Sequence, residues 1–411
     1  MTERTDPRWG AAVTASGSLG VSPTSDWGRW VADGRLPASA DGSGFGVDFA
    51  ADLALLAELG LSRLRWTIDW SRLEPRPGRW NTDAADLVTE VLRAARTHGI
   101  EVWAVLHEGP LPGWFAEDER GFRDDAGLRR TWPRHVDRVA EEFGDLVAAW
   151  VPVLDPSAIA DHGNLTGSRP PGRQDEAGFL AALRDLHLAS YEAMRLLRSG
   201  DPSVACCIDA EPVHDGVRSR EPDERDAARS RAATIDRLRF GTWVRALRDG
   251  VLSIPGGADV ELEGLATGYD VVGLTYRGAT TVYADGSLGP YPADAPVAAD
   301  GHAPWAEGLG VVVRRLADEL PGRRLAVLGT GLTDAADEWR VELLHQTATE
   351  IGRAAADHVG VTEVFWETVV DGWTPECGLA VPDGVVTRGR EWRASAEVLH
   401  AVADGRGMLT T

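Results

Sequence analysis

The sequence predicts a single closed (β/α)₈ barrel, the TIM-barrel fold. Eight short apolar runs alternate with amphipathic helical patterns along the 411 residues. The runs are almost continuously hydrophobic, as expected for parallel strands that are buried on both faces. Long inserts also follow the runs, and loops after strands form the catalytic face of such a barrel. A doubly wound sheet is the alternative, but no GxGxxG motif follows the first run.

The barrel domain is expected over residues 9–404, with short tails at 1–8 and 405–411. Pro and Gly concentrate in the inserts and mark no interdomain linker. The eight predicted strands are 9–15, 63–68, 101–107, 149–154, 203–208, 270–275, 324–328 and 362–366.

Each predicted strand is followed by a helical pattern. The first, residues 46–60, places Phe49, Leu53 and Leu56 on one face and ends at Gly60. The other predicted helices are 83–99, 131–144, 175–200, 226–249, 303–319, 335–357 and 391–404.

Charge and composition exclude several functions. A net charge of −22 argues against nucleic acid as a partner, because phosphate binding requires a cationic surface. No run approaches the roughly 18 apolar residues of a membrane span, and the first residues contain no apolar signal core. The sequence therefore predicts a cytoplasmic protein that does not bind membranes.

Cofactor and metal chemistry are also not expected. The chain contains no Lys, which excludes a Schiff base and a P-loop lysine. The three cysteines form no CxxC pair, HExxH is absent, and the ten His residues do not cluster at metal-ligand spacing. We therefore expect no bound metal and no cofactor.

A series of motifs runs in order from about residue 9 to 404. They resemble the signatures of glycoside hydrolase family 1, the retaining β-glycosidase barrels. The segments that carry the resemblance are SDWGRW (25–30), RLRWTIDWSRLEPRPGRWN (63–81), VLHEGPLPGWF (105–115), AWVPVLDP (149–156), DVVGLTYRG (270–278), VLGTGLTDAADEWR (327–340), VFWETVVDGW (364–373) and RGREWRASAEVL (388–399).

The resemblance implies two catalytic carboxyl groups about 5 Å apart, a nucleophile and an acid/base. At the position of the nucleophilic Glu this chain has Gly329, which cannot form a glycosyl-enzyme intermediate. At the acid/base position the family's Asn-Glu-Pro is Leu154-Asp155-Pro156, and Asp reaches roughly 1 Å less far than Glu. We expect ordinary retaining hydrolysis to be lost.

Other positions of the family's sugar site have changed as well. The first-strand Gln falls near Gly17, the third-strand His is Glu108, and the sixth-strand Asn is Thr275. The aromatic residues Trp114, Tyr276, Trp366 and Trp373 remain and are predicted to contact the substrate, with packing as the alternative role for each.

New acids occur after two strands, Glu108 after the third and Glu367 after the eighth. With Asp155 they are the predicted catalytic residues, because neighbouring carboxyl groups raise each other's pKa and can form an acid/base pair. Arg65, which lies beside the nucleophile in the family, is predicted to bind substrate and to pair with one of the three acids, with an anionic group of the ligand as the alternative partner.

Three functions remain open at this point. The first is acid/base chemistry on a small glycosylated or sugar-like metabolite, in a repurposed site. The second is non-catalytic binding of a carbohydrate or another small molecule, as a pseudo-glycosidase. The third is residual inverting hydrolysis that uses Asp155 as the acid. The ligand's identity and the oligomeric state do not follow from the sequence.

Overall fold

Eight parallel strands close into a barrel in the computed structural model, which describes residues 7–218 and 222–405. Each strand pairs with its neighbours in chain order, and the eighth returns to the first. The barrel strands are β1 Arg8–Val13, β2 Arg63–Thr67, β3 Glu101–Val105, β4 Ala149–Val151, β5 Ser203–Asp209, β6 Val271–Thr275, β7 Arg324–Gly331 and β8 Val361–Glu367. The predicted fold class and all eight strands are confirmed.

A helix follows each barrel strand and packs on its outer face. The eight helices are α1 Phe45–Glu58, α2 Thr82–Thr97, α3 Trp132–Phe143, α4 Glu176–Leu197, α5 Thr242–Asp249, α6 Ala306–Glu319, α7 Asp337–Ala356 and α8 Ala394–Ala403. None of the helices in the described ranges is both long enough and apolar enough to cross a membrane.

The predicted helix 226–249 is helical over its whole length, but it starts earlier and contains a wide turn that the pattern did not predict. The chain forms a helix over Pro222–Asp236, then a π-helical turn over Arg237–Gly241, then α5. The Thr242 hydroxyl donates to the Arg237 carbonyl five residues back, at 2.9 Å. The Thr242 backbone N–H donates to the same carbonyl, in place of the four-residue bond of a regular helix.

The predicted end of the seventh strand is wrong. The predicted strand ended at residue 328, but β7 continues through Gly331 and keeps pairing with both neighbours. Its register shifts between Val327 and Gly329, where the strand is irregular. A Cβ on Gly331 would lie 2.6 Å from the Glu367 carbonyl carbon, so the close approach of β7 and β8 requires glycine here.

The inside of the barrel is a separate apolar core. Side chains of alternate residues on each strand point inward, including Trp103 and Val105 on β3 and Ala205 and Cys207 on β5. The intervening residues face the helices and join the larger outer core. This alternation decides which residues reach the carboxyl ends of the strands from the inside.

Candidate functional site

Charged side chains line the carboxyl end of the barrel, directly above its apolar core. Continuing the inward alternation past Cys207 leads to Asp209, and past Phe365 it leads to Glu367. We call the charged layer at this end the mouth. It contains Arg65, Glu108, Asp155, Asp209, Arg277 and Glu367.

Arg65 is fully buried on β2 and binds two of its three predicted partners. Its Nη2 donates to Glu367 Oε1 at 2.8 Å and lies 3.5 Å from Glu108 Oε1. Glu108 also accepts a hydrogen bond from the Thr67 hydroxyl. Both acids therefore converge on one guanidinium nitrogen.

The Glu367 carboxyl group fills the space beside Gly329. A Cβ built on Gly329 would lie 2.9 Å from Glu367 Cδ and 3.3 Å from Thr275 Cγ2. A side chain at 329 would therefore compete with Glu367 for the same volume. A carboxyl group is thus present next to the glycine, but it comes from β8.

Arg277 joins two of the predicted catalytic acids. Its Nη1 lies 3.1 Å from Asp155 Oδ2, and its Nη2 lies 3.0 Å from Glu367 Oε2. Burial would lower the pKa of Arg277, but the Glu367 and Asp155 carboxylates outweigh burial and raise it well above its usual value. The guanidinium is therefore a permanent cation between the two acids.

Sequence reasoning missed Arg277, although a signal for it exists. Val271, Gly273 and Thr275 are alternate residues of β6, and the next residue in this series is Arg277, just past the end of the strand. The predicted site took its residue from this strand at Tyr276, where the family pattern ends. Arg277 is the next residue and was not considered a site residue.

Asp155 follows β4 in a left-handed backbone conformation with φ of 48°. Its carboxyl group accepts hydrogen bonds from the Thr275 hydroxyl and, at 3.6 Å, from the Cys207 thiol. Nearby Cys207 is buried, which raises the pKa of its thiol well above the usual value. Thr275 and Cys207 therefore orient Asp155 toward Arg277, and the thiol stays protonated.

Glu108 has the most perturbed environment of the three predicted acids. Burial raises the pKa of its carboxyl group, while the Arg65 charge and the Thr67 hydrogen bond lower it. The charges of Glu367 and Asp155 raise it further. The side chains of Glu108, Asp155 and Glu367 are 13%, 11% and 16% exposed, so solvent reaches all three.

The four predicted aromatic residues do not present a free face to the mouth. Trp114 and Trp366 belong to the outer core, and the Trp114 indole donates to the Glu74 carbonyl at 2.8 Å. Tyr276 is buried and donates to the Trp305 carbonyl, and Trp373 packs edge-on against Trp27. In this conformation all four contribute to packing, and their contact with a substrate stays a prediction.

A second group of charges lies next to the predicted acids. Glu211 Oε1 is 3.5 Å from His302 Nε2, and Asp300 Oδ2 is 3.3 Å from His302 Nδ1. Burial would lower the pKa of His302, but the hydrogen bond to Asp300 and the charge of Glu211 raise it to about 9. His302 is therefore a cation at neutral pH, held between two acids.

The acids of the mouth are not grouped as metal ligands. Within residues 7–218 and 222–405, no group of three or more His, Cys, Asp or Glu side chains is arranged to hold a metal ion. The mouth acids are bound by arginines, by hydroxyl groups and by the Cys207 thiol.

Comparisons with known proteins place the chain in a family. The family model "Glycosyl hydrolase family 1" matches residues 42–284, more than half of the chain. Beta-glucosidase 21 from Oryza sativa subsp. japonica is 31% identical over 154 residues, which cover 36% of this chain and 30% of the rice protein. Aryl-phospho-beta-D-glucosidase BglC from Bacillus subtilis is 27% identical over 155 residues, covering 38% of this chain and 32% of that protein. The aligned stretches thus span only about a third of these relatives.

Solved structures match over nearly the whole chain. The β-glycosidase from Pyrococcus horikoshii has a TM-score of 0.86 at 21% identity, covering 99% of this chain and 95% of the other. The β-glucosidase from Thermotoga maritima in complex with glucoimidazole has a TM-score of 0.83 at 17% identity, with 98% of each chain covered. At these identities the structures establish the fold, and the family model establishes the membership. This chain belongs to glycosyl hydrolase family 1.

Proposed function

We propose that this barrel has lost the retaining hydrolysis of its family and performs acid/base chemistry on a small glycosylated or sugar-like molecule. The observation that carries the proposal is the Arg277 guanidinium, which bridges Asp155 and Glu367 at 3.1 and 3.0 Å. In a retaining glycosidase, positive charge develops on the substrate between two carboxyl groups. A fixed cation in that space repels such a charge.

The nucleophile and acid/base positions support the loss. Gly329 has no side chain that could attack the sugar, and the acid/base position is the shorter Asp155. Glu367 fills the space beside Gly329, but Arg65 and Arg277 both hold its carboxyl group. We therefore do not assign Glu367 the role of a nucleophile.

A different pair of acids suits proton transfer. Glu108 Oε1 lies 3.5 Å and Glu367 Oε1 lies 2.8 Å from the same atom, Arg65 Nη2. The distance between the two carboxyl oxygens therefore cannot exceed the sum of these two distances. Burial raises the pKa of Glu108, as proton donation near neutral pH requires. We assign Glu108 as the proton donor, with Glu367 or Asp155 as the acceptor.

One observation favours non-catalytic binding as the second candidate. All three acids are bound by side chains of the protein itself, Glu367 by two arginines, Asp155 by Arg277 and Glu108 by Thr67. Such groups are less available for chemistry, although a ligand could displace Arg277.

Two assays on purified protein separate these functions. The first follows nitrophenol release from nitrophenyl β-glucoside. The second uses proton NMR in D₂O to follow C–H exchange and anomer ratios in a panel of reducing sugars. Glu108→Gln, Asp155→Asn and Glu367→Gln are compared with Asp137→Asn, which removes one charge from the outer helix α3. We expect no release of nitrophenol by the parent protein. The rate of C–H exchange in the sugars should fall by about 10²-fold or more in Glu108→Gln.

Other outcomes would decide against the proposal. Nitrophenol release at ordinary enzymatic rates would refute it, and inverted product that depends on Asp155 would establish a residual inverting hydrolase. Sugar binding without turnover, unchanged by Asp155→Asn, would establish the binding protein.

A further inference from the structure

Asp209 is the acid in the mouth to which no arginine within residues 7–218 and 222–405 is ion-paired, although the charge of Arg239 acts on it. It is the last residue of β5 and continues the inward series after Ala205 and Cys207. The residue is more than nine-tenths buried. Among the described residues, none forms a hydrogen bond or an ion pair with its carboxyl group. Buried carboxyl groups normally have a hydrogen-bonding partner, and the oxygens of Asp209 still reach the solvent of the mouth, so a partner from outside the chain can bind them.

The cations near Asp209 are already engaged. Arg239 lies 3.6 Å from Asp161 and 3.7 Å from Glu211, and Arg277 is bound to Asp155 and Glu367. His302 is held between Asp300 and Glu211.

The charges that act most strongly on Asp209 are those of Glu211, Arg239, Asp155 and Arg277, and the charge of Asp209 in turn raises the pKa of Arg239. Burial raises the pKa of Asp209 to about 7, and the charge of Glu211 adds to this effect. The two arginines lower the pKa but do not offset burial. This part of the mouth is therefore short of positive charge.

We propose that Asp209 and Glu211 form a subsite for the ammonium group of an amino-bearing, sugar-like ligand. An ammonium group is a compact charge with three donors, so it can bind both carboxyl groups at once. Asp209 accepts from inside the barrel and Glu211 from the loop that follows β5. This subsite rests on the proposed sugar-like ligand. It adds that the ligand carries a positive charge and that Asp209 and Glu211 bind it.

Isothermal titration at pH 7 with four probes tests the subsite. The probes are glucose and its 2-amino, 3-amino and 6-amino derivatives, which present the ammonium group at three different positions of the sugar. At least one amino sugar is expected to bind tenfold or more tightly than glucose. Asp209→Asn is expected to remove the gain of the amino sugar over glucose, whereas Asp137→Asn preserves it.

The outcomes distinguish this subsite from the proposed function. If glucose binds and no amine binds more tightly, or if the gain survives Asp209→Asn, the subsite is refuted and the proposed function stands. If none of the four binds, the sugar-like ligand and the subsite both fail. A thermal melt of Asp209→Asn shows whether the variant is folded. In a second variant, Glu211→Gln, the gain in affinity of the amino sugar over glucose must also fall.

Discussion

Two arginine-bound glutamates on β8 show how position within the barrel separates structure from function. Glu363 and Glu367 are four residues apart, and each is bound by two arginines from other parts of the barrel. Glu363 is at the amino end of the strand, in register with Arg8 of β1. Glu367 is at the carboxyl end, in register with Gly331 of β7.

The two sites differ in what surrounds them. Glu363 is completely buried, and Arg8 and Arg324 cover it from the outside with their own half-exposed side chains. Glu367 retains 16% exposure, and its partner Arg65 is completely buried beneath it. At the amino end the charge faces protein; at the carboxyl end it faces the space between long loops.

The comparison teaches that a buried, arginine-paired acid is not by itself a sign of function. Parallel strands place their loop-rich ends together, so only acids at the carboxyl end can meet a ligand. Glu363 is expected to stabilise the fold, and Glu367 to contribute to the site.

The largest expected effect is the difference in stability between matched substitutions of Glu363 and Glu367. Glu363→Gln should lower the free energy of unfolding by about 2–3 kcal/mol, because it removes the charge of a completely buried carboxylate that accepts hydrogen bonds from two arginines. Glu367→Gln should cost less than about 1 kcal/mol, since its amide oxygen still accepts from Arg65 and water reaches the side chain. Urea denaturation measures both.

The same pair is then compared for ligand binding. Glu363→Gln should leave sugar affinity unchanged, and Glu367→Gln should reduce it. Equal stability costs together with equal effects on binding would contradict the division of roles between the two ends.

A smaller effect concerns the space shared by Gly329 and Glu367. Gly329→Ala places a Cβ 2.9 Å from Glu367 Cδ and should cost about 1–2 kcal/mol by overpacking. Glu367→Ala opens that space, so the double variant should recover at least half of the cost. A double-mutant cycle in urea gives the coupling energy, and strictly additive costs would show that the two residues do not compete.

The smallest expected effect is a pH dependence that separates Asp209 from the paired acids. Asp in an unfolded chain has a pKa near 3.9, whereas burial raises that of Asp209 to about 7. Between these values the folded state retains a proton that the unfolded state has released, so stability falls as pH rises. Asp209→Asn lacks this loss.

The measurement is the stability difference between Asp209→Asn and the parent protein. It should be small below about pH 4, grow through the interval and level off above about pH 7, reaching at least about 1 kcal/mol. Chemical denaturation at a series of pH values gives the curve. A difference that does not change with pH would show that Asp209 already has a partner in the folded protein.

Much of the fold was predictable because its signals are local. Apolar runs, helix stops such as Gly60 and insert positions define eight strands and the open end of the barrel. The strand that continues through Gly331 could not be read locally. Glycine usually marks a turn, but here it allows β7 and β8 to approach each other.

The sequence by itself determined the barrel, the family motifs, the glycine at 329 and the acids that follow the strands. Only the tertiary structure decided which of these residues meet. Arg277 and Asp209 come from β6 and β5, and their contacts depend on strand register and on inward alternation around a closed barrel. The four aromatics matched the motifs, yet all four are buried in the folded protein. Charge pairing and burial are properties of three-dimensional proximity, which motif spacing along one chain does not encode.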